Sequence, residues 1–212
     1  MNGAAAGLAA AKAGAATREL LLVAAAREIH VHGFQAASLS RILAETGVTK
    51  GALYHHFSSK KILGYAVVDE CYAPVLRKYW IDPLADAGGD ALQVLIGIIR
   101  DTGRAMTRED VLLGCPVNNL AQEMSPVDEG FRLRIKALFN EWRTATGNAL
   151  LSAQQHGTIA PDVDVRTSAA FVVASLEGCV GMAKNGQSKE ILLMCGEGLI
   201  AYLQSLNKQP EC

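Results

Sequence analysis

The sequence predicts an all-α protein: a three-helix N-terminal domain followed by a larger helical domain. Three observations carry this. Apolar residues recur at helical spacing through most of the chain. Few stretches alternate with period two, and none is flanked by hairpin turn signals. Ser, Thr and Asp stand repeatedly where a helix would open, and Gly where one would close.

The elements follow in order. Residues 1–16 are rich in Ala and Gly and carry almost nothing to bury, so they are expected to form a disordered tail. Thr17 to His32 places apolar residues 21, 22, 25 and 29 on one helical face, and Gly33 closes it. Ser38 caps Leu39–Glu45. Thr46-Gly47-Val48 turns the chain, Thr49 caps Lys50–His56, and Ser58 caps a longer helix in which Pro74 forces a kink or an end. Pro83 to Gly89 is a loop. Asp90 to about Thr107 is a helix with Leu92, Leu95, Ile96 and Ile99 on one side. Gly114-Cys115-Pro116 breaks the chain. Ser125 and Pro126 open a helix that runs to Gly157, and Asp164 and Ser188 open the last two.

Composition narrows the function. The chain has 212 residues, half of them hydrophobic, so its core needs no disulfide or metal staple. Its net charge is -1, but residues 17–61 carry +3 and residues 62–212 carry -5, which suits a polyanion partner for the N-terminal part. No apolar run reaches the roughly 18 residues of a membrane helix, and "MNGAAAGLAAAKAGAATR" lacks the pattern of a secretory signal. Five scattered cysteines without a CxxC pair fit free thiols in a cytoplasmic protein. No catalytic triad, complete phosphate loop or paired metal motif is present, so an enzyme and a cofactor are not expected. His30, His32 and His56 gather no fourth ligand and read as structural or surface histidines.

Two short helices around a Gly turn, Leu39–Glu45 and Lys50–Phe57, make a helix-turn-helix. Leu53 and Phe57 share a face that packs with Ile42 and Val48. The other face presents Lys50, Gly51, Tyr54 and His55, small, basic and hydrogen-bonding, as a recognition helix in a major groove would. A glycine costs roughly 1 kcal/mol inside a helix, and close backbone approach to DNA justifies it. Lys60 and Lys61 oppose the positive end of a helix dipole unless a phosphate sits there. Taken alone, the pair reads as a solvated basic turn. A helical ligand-binding or adaptor protein without DNA contact is the competing reading.

The stretch "GFQAASLSRILAETGVTKGALYHHFSSKKIL" resembles the DNA-binding domain of TetR/AcrR-type transcriptional regulators. The matching pieces are Gly33-Phe34, Ser38, Ile42, Gly47-Val48, Lys50-Gly51, Leu53-Tyr54, His56-Phe57, Ser59-Lys60 and Leu63. The family pattern often has an acid where Lys61 stands. The remainder resembles the family more loosely, in helix count and in "GCPVNNLAQEMS". The resemblance implies residues 17–63 as the DNA-binding domain and 64–212 as a helical effector-binding and dimerisation domain. It implies a homodimer on a palindromic double-stranded DNA operator, released by a small-molecule effector. Thr49, Lys50, Gly51, Tyr54 and His55 would then meet bases or phosphates. Ser38, Lys60 and Lys61 would hold the DNA backbone.

The last two helices are apolar on more than one face, and Gly178, Gly181, Gly196 and Gly198 permit close approach, so they either close the monomer core or form the dimer bundle. Trp80, Arg104, Asn118, Asn119, Gln122 and Trp142 are candidate pocket residues. Some family members sense oxidants through a cysteine, and Cys115 at a helix start would gain a stabilised thiolate. The plainer reading of Cys115 is a small buried hydrophobe.

Overall fold

The computed structural model describes residues 2–85, 87 and 90–207, with side chains from Gly14 onward. All named elements are helical: α1 Asn2–His32, α2 Leu39–Thr46, α3 Lys50–His56, α4 Lys60–Ala66, α5 Ala73–Leu76 and α6 Asp82–Ala85. The second half holds α7 Ala91–Ala105, α8 Arg108–Leu113, α9 Pro116–Met124, α10 Glu129–Gln155, α11 Val165–Gly186 and α12 Lys189–Ser205. Of the five cysteines, Cys212 lies outside the described residues.

Several boundaries differ from the sequence reading. Helix α1 begins at Asn2 rather than after a tail of 16 residues, as the high helix propensity of its alanine-rich start allows. Ser59, not Ser58, caps α4, because its side chain accepts from the Ile62 amide. Pro74 neither ends nor breaks the helical path. Two π-helical segments, Val67–Tyr72 and Arg77–Ile81, flank α5, and their wider turns tolerate the missing N–H. Pro83 lies in α6 instead of a loop. Helix α8 was not anticipated; Thr107 and Asp110 form its capping box. Helix α10 starts at Glu129, with Asp128 accepting from the Phe131 amide, instead of at Ser125.

The chain divides into two compact units. The first comprises residues 1–73 and 119–134, so it extends well past residue 63 and includes a segment from the middle of the chain. Its core contains Leu21, Ile42, Leu53, Phe57, Leu63 and Phe131. Helix α1 packs on α2, α3 and α4. Gly64 is required where α4 meets two rings: a Cβ there would stand 2.5 Å from Phe34 and 2.7 Å from Phe131.

The second unit comprises residues 74–118 and 135–212. Helices α7, α8 and α11 pack on α12, burying Leu92, Leu95, Ile99, Leu192 and Leu203. Val165–Gly186 contains no continuous apolar run of about 18 residues, since Arg166, Glu177 and Lys184 interrupt it, yet it is long and apolar enough to cross a membrane by length and composition. Here it is a packed helix, capped by Asp164, which accepts from the Arg166 and Thr167 amides.

Candidate nucleic-acid interface

Helix α3 is set by its caps and by two buried side chains. Thr49 accepts from the Ala52 amide at 3.2 Å, and Gly47 turns the chain before it at φ +67°. Leu53 and Phe57 are 0% and 1% exposed, which fixes the rotation of the helix about its axis. Thr49, Lys50, Gly51, Tyr54 and His55 therefore all face solvent. The Lys50 ammonium stands 6.0 Å from the centre of the Tyr54 ring, at the edge of a cation–π contact. A Cβ at Gly51 would meet nothing within 4 Å, so the position is open on its outer side.

A polar framework holds this helix pair from behind. Glu28, on α1, accepts from the Ser38 amide and from the Arg41 guanidinium, each at 2.8 Å. Burial alone would raise the Glu28 pKa, but these hydrogen bonds from Arg41 and Ser38 hold it below its ordinary value. Ser38 thus contributes its amide to Glu28 and its hydroxyl to the α2 cap, accepting from the Arg41 amide. Glu123 accepts from the amides of Phe34 and Gln35, both at 2.8 Å, directly after Gly33 at φ +78°. Arg18 forms two 2.6 Å bonds to Glu70.

The lysine pair is occupied differently from the sequence reading. Lys60 donates to the Gln35 carbonyl at 3.0 Å and stands 5.0 Å from the Phe34 ring centre. Its burial lowers its pKa. Lys61 lies 3.2 Å from Asp128. Asp128 also accepts from the Tyr65 hydroxyl at 2.5 Å, and this bond, with those from Phe131 and Lys61, pulls its carboxyl down to about 2. Both lysines therefore have protein partners in the free chain. The partners Gln35 and Asp128 are distant in sequence, so local pattern did not reveal them.

The expected effector residues do not all fall in one unit. Asn119 and Gln122 belong to the first, and Cys115, Asn118 and Trp142 to the second. The Cys115 thiol is enclosed and donates to Glu177. Burial and the Glu177 charge raise its pKa far more than the amides of Asn118 and Val117 lower it, which corrects the expected stabilised thiolate. Burial pushes Glu177 itself up to about 7. Among the described residues, Trp142 Nε1, Thr146 Oγ1 and Glu177 Oε2 are buried without a hydrogen-bond partner, and all three belong to the second unit. Trp142 packs against Trp80 with ring centres 5.2 Å apart. A separate shallow groove of about 340 Å³, lined by Lys78, Tyr79, Val94, Ile98, Asp101 and Thr102 among others, contains none of the expected effector residues.

Comparison with known proteins agrees with these features. Residues 21–63 match the model of bacterial regulatory proteins, tetR family. Residues 91–192 match that of the tetracyclin repressor-like C-terminal domain. An uncharacterized HTH-type transcriptional regulator of Lactococcus lactis subsp. lactis is 30% identical over 125 residues, 59% of this chain and 63% of that protein. The A-factor receptor protein of Streptomyces griseus is 31% identical over 159 residues, 73% of this chain and 50% of that protein. The chain thus spans less than two-thirds of the length of either relative. A TetR transcriptional regulator from Chloroflexus aurantiacus, of known structure, superposes with a TM-score of 0.81 at 27% identity, covering 94% of this chain and all of that one.

Proposed function

Because this chain belongs to the TetR family of transcriptional regulators, we propose that it binds a palindromic DNA operator as a homodimer and is released by a small-molecule effector. The observation that carries the reading is the outward face of α3. Thr49, Lys50, Gly51, Tyr54 and His55 are exposed together, while Leu53 and Phe57 lock the opposite face into the core. Such a helix offers donors, a ring and a cation to a major groove. The protein acts in the cytoplasm, where its operator lies.

The homodimer forms through α11 and α12. Phe171, Met182 and Met194 are 50%, 59% and 65% exposed, and Gly178, Gly181 and Gly198 have open space where a side chain would be. Large apolar and small residues side by side suit close packing of a second helix pair. The effector is a reversible ligand of the second unit, where Trp142, Thr146 and Glu177 retain unmet hydrogen-bonding capacity. The Streptomyces griseus relative, a receptor by name, supports a ligand of this kind.

Sequencing genomic fragments retained by the full-length protein tests the proposal. An inverted repeat with half-sites about one helical turn, roughly 34–36 Å, apart is the expected result, with some latitude for overwound or bent DNA. Tyr54→Ala should weaken binding to that repeat more than tenfold with unchanged thermal stability. Normal binding by Tyr54→Ala would refute the assigned orientation of α3, and fragments without a repeat would refute the dimeric operator.

A further inference from the structure

Two cysteines meet across the final helix pair. Helices α11 and α12 run antiparallel. Ala183 clusters with Leu192 near their connection, and farther along the Phe171 and Tyr202 rings meet edge-on at 4.7 Å. At that far level Tyr202 and Ser168 are also hydrogen-bonded, at 3.1 Å. Cys179 and Cys195 lie between these two levels, with Cys179 packed on the cluster that contains Leu192, one turn before Cys195, and the two thiols interact. Both thiols are free and half-buried. Cys179 packs against the cluster of Val111, Ala183 and Leu192, which holds it in place.

We propose that Cys179 and Cys195 form a modifiable dithiol, converted by hydrogen peroxide to a disulfide that ties α11 to α12. Cys195 Sγ attacks first. As a thiolate it takes the distal peroxide oxygen, the O–O bond breaks, and the released hydroxide is protonated to water. Cys195 is then a sulfenic acid. The Cys179 sulfur attacks it, the S–O bond breaks, and the departing hydroxyl leaves as water with the Cys179 proton. Two thiols lose two protons and two electrons, and one peroxide becomes two waters. Burial and the neighbouring Cys195 raise the Cys179 pKa, so this thiol keeps its proton until the second step and the reaction accelerates with rising pH. Cys71 and Cys115 are placed otherwise: Cys71 donates to the Leu22 carbonyl at 3.8 Å, and Cys115 to Glu177. The proposal holds whatever DNA the protein binds.

The test treats full-length protein with hydrogen peroxide, alkylates it, and maps peptides without reduction. A Cys179–Cys195 linked peptide should appear, with loss of two titratable thiols. The thermal midpoint should rise by roughly 5–10 °C, and dithiothreitol should reverse both changes. Cys179→Ser and Cys195→Ser should each abolish the linked peptide and the rise, with circular dichroism confirming that the variants fold. If a variant does not fold, the wild-type peptide map alone decides. Cys179 and Cys195 remaining free after Cys71 or Cys115 has oxidised would overturn the proposal. So would a Cys195 link between two chains.

Discussion

The two units differ in how they treat buried polar groups. In the first, carboxylates are matched. Glu28 holds Ser38 and Arg41, Glu70 holds Arg18, Glu123 holds two successive amides, and Asp128 holds Tyr65 and Lys61. In the second, three buried polar atoms among the described residues lack partners, although Arg77 and Glu141 are paired there. A satisfied network fixes one arrangement of the elements it joins, which a helix reading base edges needs. An unsatisfied buried group costs free energy until water or a ligand completes it, so the second unit gains by binding.

The contrast can be broken at graded cost. Gly64→Val forces a side chain into space that Phe34 and Phe131 occupy, and should destabilise the protein by about 3 kcal/mol in urea unfolding. A loss under about 1 kcal/mol would mean that the first unit is looser than its polar framework implies.

Next comes Glu177→Gln. The folded carboxyl titrates near 7 against an ordinary 4.5, so the native state binds its proton more tightly. Its contribution to stability is complete below about 4.5 and fades as pH rises to 7. The variant should flatten that decline by on the order of 1–3 kcal/mol. An unchanged pH profile would place the Glu177 carboxyl in water.

The smallest effect belongs to Lys50→Ala. Lys50 is exposed, so its loss should leave stability alone and flatten the salt dependence of DNA binding by about one unit. An unaltered slope would separate Lys50 from the phosphates.

Much of this was legible in the sequence, for a local reason. Ser38, Thr49, Asp164 and Ser188 cap helices by reaching amides two or three residues ahead, and such spacing is visible without a fold. The facing of α3 followed from Leu53 and Phe57. Helix α8 carried the same kind of signal in Thr107 and Asp110, and was overlooked. What could not be read depends on distant partners. The contacts of Lys60 with Gln35 and of Lys61 with Asp128 are of this kind. Cys115 has the helix start that the sequence promised, but Glu177 and burial outweigh it. The π-helical segments beside Pro74 have no counterpart in apolar spacing.

The exposed Phe171, Met182 and Met194 also have a consequence for the newly made chain. In the proposed dimer, pairing of two copies is second order, so the time each chain would spend with this stripe bare lengthens as its abundance falls. A scarce regulator therefore passes slowly through the interval in which other sticky surfaces, or a chaperone, can capture it first. Slow synthesis would leave a larger share of chains bare, and clustered translation of one messenger would shorten the wait.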